Sequence, residues 1–373
     1  MYTVDELLHL MVERGASDLH IKAESPPLLR IHGDLLRMET EPLSAEQAKE
    51  LVYSLINDHQ KETLERDWEL DLAYEIAGLS RFRVNAFWQR GMAGMIFRAI
   101  PFNIWTIEQL GALKVVQDVL RYYSDRPRGL VLVTGPAGSG KSTTQAAMLD
   151  YINEKYPCHI MTVEDPIEFV HQSKMAIINQ RELGEDTLSF ANALKYVLRQ
   201  DPDVILVGEM RDLETIALAI TAAETGHLVF GTLHTTDAVQ TVDRVIDVFP
   251  TYQQQQIRMQ LAVNLLGVVS QILVKRADKQ GRVAAFETMV AIPAVRNSIR
   301  EAKTYQISSI IQTGSRQGMV SLDNYLAGLV KAGQVTWADA VLKSSQPDEF
   351  RRILPPPEES GARGQRGGMP VSA

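Results

Sequence analysis

A glycine-rich stretch, "GPAGSGKST" at residues 135–143, has the composition of a phosphate-binding loop. It fits the pattern G-x-x-x-x-G-K-[ST], in which backbone N–H groups surround phosphates, the lysine reaches the terminal ones and the hydroxyl binds Mg²⁺. We predict that the whole stretch binds nucleotide phosphates. Its members are Gly135, Pro136, Ala137, Gly138, Ser139, Gly140, Lys141, Ser142 and Thr143.

The flanking segments support this interpretation over a glycine-rich turn with a chance lysine. The apolar segment "LVLVT" precedes the loop and the amphipathic segment "STTQAAMLDYI" follows it. A strand, a loop and a helix in this order are what the phosphate-binding mechanism requires.

Hydrolysis also requires carboxylates near the phosphates, and two acidic segments follow strand-like runs. In "VILVGEMRD", Glu209 lies where enzymes with a phosphate-binding loop usually have an acidic residue near the magnesium ion. Because Gly208, and not an aspartate, directly follows the apolar run, we expect Glu209 to act on the metal through water. Ser142 and Glu209 are thus the predicted metal residues.

The second acidic segment, "TVEDPIEF", carries Glu164, Asp165 and Glu168. One carboxylate beside the γ-phosphate would orient and deprotonate an attacking water. The alternative is an acidic helix cap or a solvated turn.

Two histidines bracket one apolar run in "TGHLVFGTLHTTD". His227 opens this run and His234 closes it. Both imidazoles can respond to phosphate charge, and the alternative is an ordinary pair of hydrogen-bonded histidines at strand ends.

The elements that position these residues divide the chain in two. Residues 1–100 predict a small α+β domain: Thr3 and Glu6 form a capping box, Ser44 and Gln47 cap a second helix, and alternating strands surround them. We place a linker at residues 101–112 because Pro101 and Gly111 interrupt both periodicities.

Residues 113–354 predict an α/β domain, since short apolar strands alternate with helices and indicate a parallel sheet covered on both faces. After about residue 250 the pattern is mainly helical. Residues 355–373 are rich in Pro, Gly and Ser and predict a disordered tail.

Composition narrows the function classes. The chain has 373 residues, with 38 basic and 46 acidic side chains and a net charge of -8, which disfavours a surface for direct binding of nucleic acid. Cys158 is the single cysteine, so an internal disulfide and a multi-cysteine zinc site are excluded.

The amino terminus lacks the pattern of a signal peptide. The apolar segment "LLGVVSQILV" is about half the length that a membrane span needs. We expect a cytoplasmic protein without direct membrane insertion.

Four segments in this order and spacing, "GPAGSGKST", "TVEDPIEF", "GEMRD" and "TGHLVFGTLHT", resemble the secretion ATPase superfamily. The similarity extends over residues 3–350 and includes "ASDLHI" and "PPLLRIHGDL". The resemblance implies a RecA-like P-loop ATPase domain preceded by a PAS-like domain, ATP and Mg²⁺ as cofactors, and a homohexamer. It also implies that Glu164 is the catalytic carboxylate, that Glu209 ends an atypical Walker B element, and that His227 and His234 form a His box.

Within the superfamily the chain looks most like the branch that retracts type IV pili. The resemblance implies an inner-membrane platform protein as partner, a retraction paralogue as a further partner, and a location at the pilus base. Assembly ATPases of pili or of type II secretion usually have an additional amino-terminal domain and a four-cysteine zinc site. With one cysteine and about 100 residues before the linker, we do not expect both in this chain, which favours retraction over assembly. A nucleotide-gated regulatory ring and a RecA-like DNA motor are the remaining alternatives. The carboxylates of Glu164 and Glu209 argue against the regulatory ring, and the excess of acidic over basic side chains argues against the DNA motor.

One segment departs from the family pattern. Retraction ATPases have a helix motif AIRNLIRE, and this chain has "AVRNSIRE" at residues 294–301. Arg296, Asn297, Arg300 and Glu301 are kept, so we expect an intact polar face. Ser298 replaces a leucine, so we expect a weaker apolar face.

Two arginines of the first domain are further candidates for catalysis. In "SRFRVNAFWQ" the alternation places Arg83 on the face opposite Phe82, Val84, Ala86 and Trp88. Arg98 lies just before the linker. Related ATPases use two arginines in similar places to reach the γ-phosphate. The alternative is that Arg83 and Arg98 pair with surface acids.

Overall fold

The computed structural model describes residues 2–31, 33–100, 104–278 and 281–357. Two β-sheets organise the chain, an antiparallel sheet in the first hundred residues and a mainly parallel sheet in the remainder. Each sheet has its own cluster of buried apolar side chains. This architecture agrees with the predicted α/β chain that begins with a small α+β domain.

The amino-terminal sheet has the strand order β3-β2-β1-β6-β5-β4. Its first helix starts at the predicted capping box, in which the Thr3 hydroxyl accepts from Glu6 N–H at 3.2 Å and the Glu6 carboxylate accepts from Thr3 N–H at 2.8 Å. The elements are α1 (Val4–Glu13), β1 (Asp18–Lys22), β2 (Leu28–Ile31), β3 (Asp34–Arg37), α2 (Ala45–Leu55), α3 (Asp58–Asp67), β4 (Glu69–Ile76), β5 (Ser80–Gln89) and β6 (Met92–Ile100).

Strand β5 shows the predicted alternation. Phe82, Val84 and Ala86 are buried in the core of this domain, whereas Arg83 is exposed on the other face. Helix α3 was not predicted, because "DHQKETLERD" buries a single residue, Leu64, and has no apolar stripe. Asn57 and Gln60 nevertheless form a capping box at its start.

The carboxyl-terminal part alternates strands and helices. Its elements are α4 (Lys114–Ser124), β7 (Gly129–Thr134), α5 (Lys141–Lys155), β8 (His159–Glu164), β9 (Ile177–Glu182), α6 (Phe190–Val197), β10 (Val204–Val207), α7 (Leu213–Glu224), β11 (Leu228–Leu233), α8 (Ala238–Asp247), α9 (Thr251–Asn264), β12 (Leu265–Lys275), β13 (Arg282–Val290), α10 (Pro293–Arg300), α11 (Ile307–Thr313), α12 (Leu322–Lys331), α13 (Trp337–Lys343) and α14 (Pro347–Ile353).

The second sheet has the strand order β13-β12-β7-β11-β10-β8-β9, and only β13 runs antiparallel to its neighbour. Every residue of β7, β10 and β11 is buried, as expected for a parallel sheet with both faces covered. Because parallel strands end at one edge of a sheet, the segments that follow β7, β8, β10 and β11 lie at the same edge. This edge brings the predicted site together.

The expectation of a mainly helical region after residue 250 was incomplete. The segment "LLGVVSQILV" lies in β12, which with β13 forms a long antiparallel pair at one side of the sheet. Both faces of β12 are largely buried, so its sequence shows no alternation, and periodicity alone does not separate such a run from a buried helix.

The region between the domains contains neither helix nor strand in its described residues, 104–112. Residues 101–103 of the predicted linker and residues 358–373 of the predicted disordered tail lie outside the described residues. Within the described ranges, no helix is both long enough and apolar enough to span a membrane.

Candidate active site

The phosphate-binding loop joins the end of β7 to the start of α5 and requires its glycines. Gly135 and Gly140 have φ angles of 144° and 89°, in the left-handed region. A Cβ on Gly135 would lie 2.1 Å from the Gln271 carbonyl oxygen, and a Cβ on Gly140 would lie 2.7 Å from Gln271 Nε2. Both positions therefore exclude a side chain, because of backbone conformation and of the close contact with β12.

Two polar residues of β12 support this loop. The buried Gln271 donates from Nε2 to the Ser139 carbonyl at 2.8 Å and accepts from the Thr144 hydroxyl at 2.7 Å. The Ser270 hydroxyl lies 2.9 Å from the Thr134 hydroxyl at the end of β7. The sequence reasoning missed this function, although two polar side chains within an otherwise apolar strand were a signal for it.

The lysine of the loop lies inside it. Lys141 Nζ donates to the carbonyl oxygens of Gly135 at 2.8 Å and Pro136 at 3.1 Å. Burial lowers the pKa of this ammonium, and the carboxylates of Glu209 and Glu168 oppose the change. A desolvated cation at the start of a helix favours an anionic ligand.

The predicted acids meet the loop in one cleft of about 440 Å³. The loop residues from Ala137 to Thr143 form one wall. The lining also includes the ionisable side chains of Glu164, Asp165, Glu168, His171, Glu209, His234 and Arg282. The structure thus places seven of the nine predicted phosphate-binding residues beside both predicted acidic segments.

Glu164 is the last residue of β8, and the pKa of its carboxyl is strongly shifted. Burial raises its pKa to about 7, although hydrogen bonds from Thr162 and Gln180 lower it. The Thr162 hydroxyl donates to Glu164 Oε1 at 2.6 Å and Gln180 Nε2 donates to the same oxygen at 3.1 Å. A carboxylate that titrates near neutral pH is suited to accept a proton at physiological pH.

Glu209 follows β10 after one glycine and is held as an anion. Arg211 Nε lies 2.5 Å from its carboxylate, and His234 Nε2 lies 2.9 Å from it. The hydrogen bond from Arg211 lowers the pKa of Glu209. A Cβ at position 208 would lie 3.0 Å from both the Val163 carbonyl oxygen and Glu164 Cα, which explains why glycine stands where an aspartate is usual.

His227 does not join the cleft within one chain, in contrast to His234. It precedes β11, and its carbonyl accepts from Gly129 N–H at the start of β7. The phosphate-binding loop follows the other end of β7, so the six residues of each strand separate His227 from it by about 20 Å. His227 Nδ1 lies 2.9 Å from the Ala222 carbonyl oxygen in α7. This contact fits the alternative interpretation, in which His227 is an ordinary hydrogen-bonded histidine at a strand end.

Arg83 and Arg98 face each other across β5 and β6. Arg98 Nε donates to the buried Asp18 carboxylate at 2.8 Å, although 70% of the Arg98 side chain is exposed. Arg83 lines a second cleft, between the two domains, with Asp165 and Pro166 on the other side. The two arginines therefore lie close together, and Arg83 faces the loop that follows Glu164.

An ion pair that the sequence reasoning missed joins the two domains. Arg81 Nη2 lies 2.5 Å from Glu182 Oε2, and the Glu182 side chain is only 6% exposed. The same oxygen accepts from Ile167 N–H at 3.2 Å. Arg81 thus connects the amino-terminal sheet to the loop after Glu164. A contact over 101 residues of chain leaves no local signal in the sequence.

The "AVRNSIRE" segment forms α10 and packs against α9. Val295, Ser298 and Ile299 are buried, and the Ser298 hydroxyl donates to the Ala294 carbonyl at 3.0 Å. Arg296 Nη1 donates to the carbonyl oxygens of Ala262 and Val263, both at 2.5 Å. Arg296 therefore caps the end of α9, whereas Asn297, Arg300 and Glu301 form the polar face.

A parallel sheet with a phosphate-binding loop after β7 and carboxylates after β8 and β10 defines a RecA-like P-loop nucleoside triphosphatase. Comparison with known proteins specifies the family. The chain belongs to the type II/IV secretion system protein family, whose sequence model matches residues 2–335, and it is an ATPase.

Individual relatives agree with this family. The chain is 53% identical to the type IV pilus retractation ATPase PilT of Pseudomonas aeruginosa over 93% of its own length and 99% of the relative. It is 39% identical to the type IV pilus ATPase PilU of the same organism, over 96% of the chain and 93% of PilU. A crystal structure of the pilus retraction motor PilT with bound ADP matches 94% of this chain and 100% of its own, with a TM-score of 0.88 and 44% identity. The similarity spans both domains, and the predicted PAS-like and RecA-like architecture is confirmed.

Proposed function

We propose that the protein is a hexameric motor that hydrolyses ATP to retract type IV pili, returning pilin to the membrane. The observation that carries this proposal is the meeting of Lys141, Glu164 and Glu209 in one cleft of a chain that matches PilT over nearly its whole length. A complete hydrolytic site argues for a motor and not for a ring that only binds nucleotide.

In this proposal the loop residues bind the phosphates of ATP and Lys141 neutralises the terminal ones. A hydroxyl and a carboxylate in one cleft fit Mg²⁺, which is usually held by one or two protein groups together with phosphate oxygens. Ser142 would bind the ion directly and Glu209 through water. The bound ion would supply charge neutralisation at the β- and γ-phosphates.

Glu164 acts as the general base in this mechanism. It accepts a proton from the attacking water as the bond between the γ-phosphorus and the ADP oxygen breaks. His234 and Arg211 hold Glu209 ionised and in place. His227 has no role in catalysis within one chain, and we assign it to the junction of α7 and β11.

Arg83 and Arg98 couple the reaction to movement between the domains. When the cleft that contains Arg83 closes, both guanidinium groups approach the nucleotide and neutralise the charge that develops on the transferring phosphoryl group. Six chains would form a closed head-to-tail ring, because a cyclic arrangement leaves no open interface. The ring would combine the domain movements of its six chains.

The ring would act in the cytoplasm at the pilus base, peripheral to the inner membrane, on a platform protein of that membrane. A PilU-like paralogue is a further partner in this proposal. The polar face of α10, formed by Asn297, Arg300 and Glu301, is exposed and available for such contacts.

The pH dependence of turnover follows from the environment of Glu164. Burial raises the pKa of this base to about 7, and only the ionised carboxylate accepts a proton. We therefore expect kcat of the wild-type ring to fall as the pH decreases below about 7. Steady-state ATPase assays across the pH range, at saturating ATP, measure this. A kcat that is constant down to about pH 5.5 would contradict the assignment of Glu164 as base.

Removal of the gene tests the direction of the motor. We expect the deletion strain to keep surface pili and to lose twitching motility, because assembly continues without retraction. Electron microscopy of pili and a twitching assay on agar provide both observations. Cells without pili would instead indicate an assembly ATPase.

A further inference from the structure

Gln180 on β9 uses its whole side-chain amide in hydrogen bonds around the active site. Nε2 donates to Glu164 Oε1 at 3.1 Å and to the Phe169 carbonyl at 2.8 Å. Oε1 accepts from His171 N–H at 2.7 Å. With both ends of the amide engaged, its orientation is fixed.

The register of the sheet explains why this amide reaches Glu164. Gln180 pairs with Thr162 in the parallel ladder between β8 and β9. Alternate residues of a strand lie on one face, so Thr162 and Glu164 share the face that Gln180 meets. The Thr162 hydroxyl donates to the same oxygen, Oε1, at 2.6 Å. Two side-chain donors therefore converge on Oε1, and the Glu168 backbone N–H is a further donor to this carboxylate.

We propose that Gln180 is a positioning residue for ATP hydrolysis, which holds Glu164 and the loop from Phe169 to His171 in the geometry that the reaction requires. This inference rests on the proposed function, in which Glu164 is the general base. Gln180 acts through Glu164 and does not contact the nucleotide.

The charged groups around Glu164 make the hydrogen bonds from Thr162 and Gln180 important for its pKa. Several charged or titratable groups line the cleft around Glu164 or lie on the strand beside it: Asp165, Glu168 and His171 from the loop after β8, Glu182 from β9, Lys141 from α5, Glu209 after β10, His234 after β11 and Arg282 from β13. Burial raises the pKa of Glu164, the carboxylate of Glu168 raises it further, and Thr162 and Gln180 are the side chains that lower it. Removal of the Gln180 donor therefore raises the pKa of Glu164 again.

The variant Gln180→Met keeps the length of the side chain and removes its hydrogen bonds. We expect kcat to fall about tenfold or more, because a hydrogen bond to an ionised group is lost. We also expect the acid limb of the kcat profile to move to higher pH by about one unit. KM for ATP and the affinity for ADP should stay within about twofold, since the phosphate-binding loop is unchanged.

A matched control is Asn179→Met on the same strand. The Asn179 amide lies 2.8 Å from His159 Nε2, and as the neighbour of Gln180 along the strand it lies on the opposite face of β9. This variant should keep both the wild-type kcat and the wild-type pH profile. Thermal melting and ADP binding of each variant show whether it is folded. Gln180→Asn, which is one methylene too short to reach all three partners, replaces Gln180→Met if the latter fails to fold and should show the same shift.

The double variant Glu164→Gln/Gln180→Met separates this inference from the proposed function. If Gln180 acts through Glu164, adding Gln180→Met to Glu164→Gln lowers the residual turnover no further. A Gln180→Met ring with wild-type kcat and pH profile, beside an inactive Glu164→Gln ring, would overturn the role of Gln180 alone. A Glu164→Gln ring with full turnover would overturn the proposed base itself.

Discussion

The variant Glu164→Gln is expected to reduce ATP turnover at least about a hundredfold, as removal of a general base does, while nucleotide still binds. Glutamine keeps the shape of the side chain and an acceptor oxygen for the donors Thr162 and Gln180, so the fold of the site is retained. Only the ability to take a proton from water is lost. Binding remains because Lys141 and the backbone donors of the loop are untouched.

Steady-state hydrolysis and ADP affinity, measured on purified rings, provide both quantities. Glu154→Gln is a suitable control, since this residue lies on the surface of α5 and pairs with Lys174. Lys141→Ala provides the contrast, because it should lose nucleotide binding itself. Turnover of Glu164→Gln within about fivefold of wild type would place the base elsewhere in the acidic loop, at Asp165 or Glu168.

Removal of either predicted arginine finger is expected to have an effect of similar size. Arg83→Ala or Arg98→Ala should lower turnover by a factor on the order of 10² or more, as arginine fingers do in other P-loop enzymes. The cross-strand pairing of the two residues brings two guanidinium groups to one surface, and Arg83 already faces the loop after Glu164. ADP should bind normally, because the charge that the arginines neutralise develops on the γ-phosphoryl group.

The control for this pair is Arg90→Ala at the turn between β5 and β6, where 82% of the side chain is exposed. Arg98→Ala also removes an ion pair with Asp18, so the melting of the variant must be measured, although Arg30 still lies 3.5 Å from Asp18. Turnover within about twofold of wild type for both variants would reduce the arginines to surface residues. Equally weakened ADP binding would assign them to support of the fold or to a contact with the base of the nucleotide.

Short sequence patterns predicted those features of the structure that depend on residues close together in the chain. The capping box of Thr3 and Glu6 and the glycines of the phosphate-binding loop are each determined by neighbours a few residues away. The meeting of Glu164 and Glu209 also follows from sequence, because Glu164 ends one parallel strand and Glu209 follows the end of its neighbour, and such ends share one edge of a sheet.

Contacts between residues far apart in the chain could not be predicted from short sequence patterns. Gln271 supports a loop more than a hundred residues before it, and Arg81 meets Glu182 across the two domains. Nothing in the neighbourhood of either residue in the sequence specifies its partner. His227 is a different case, since the length of one strand already separates its two ends by about 20 Å. Strand direction alone would have excluded His227 from the cleft of its own chain.

The most direct test of the central claim is to image fluorescently labelled pili on living cells whose only copy of the protein is the wild type or the variant Glu164→Gln. If ATP hydrolysis at Glu164 powers retraction, wild-type cells will extend and retract their pili, and cells with the variant will extend pili that do not retract. Retraction events at the wild-type frequency and speed in cells with Glu164→Gln, present at the wild-type level and with no retraction paralogue, would contradict the account.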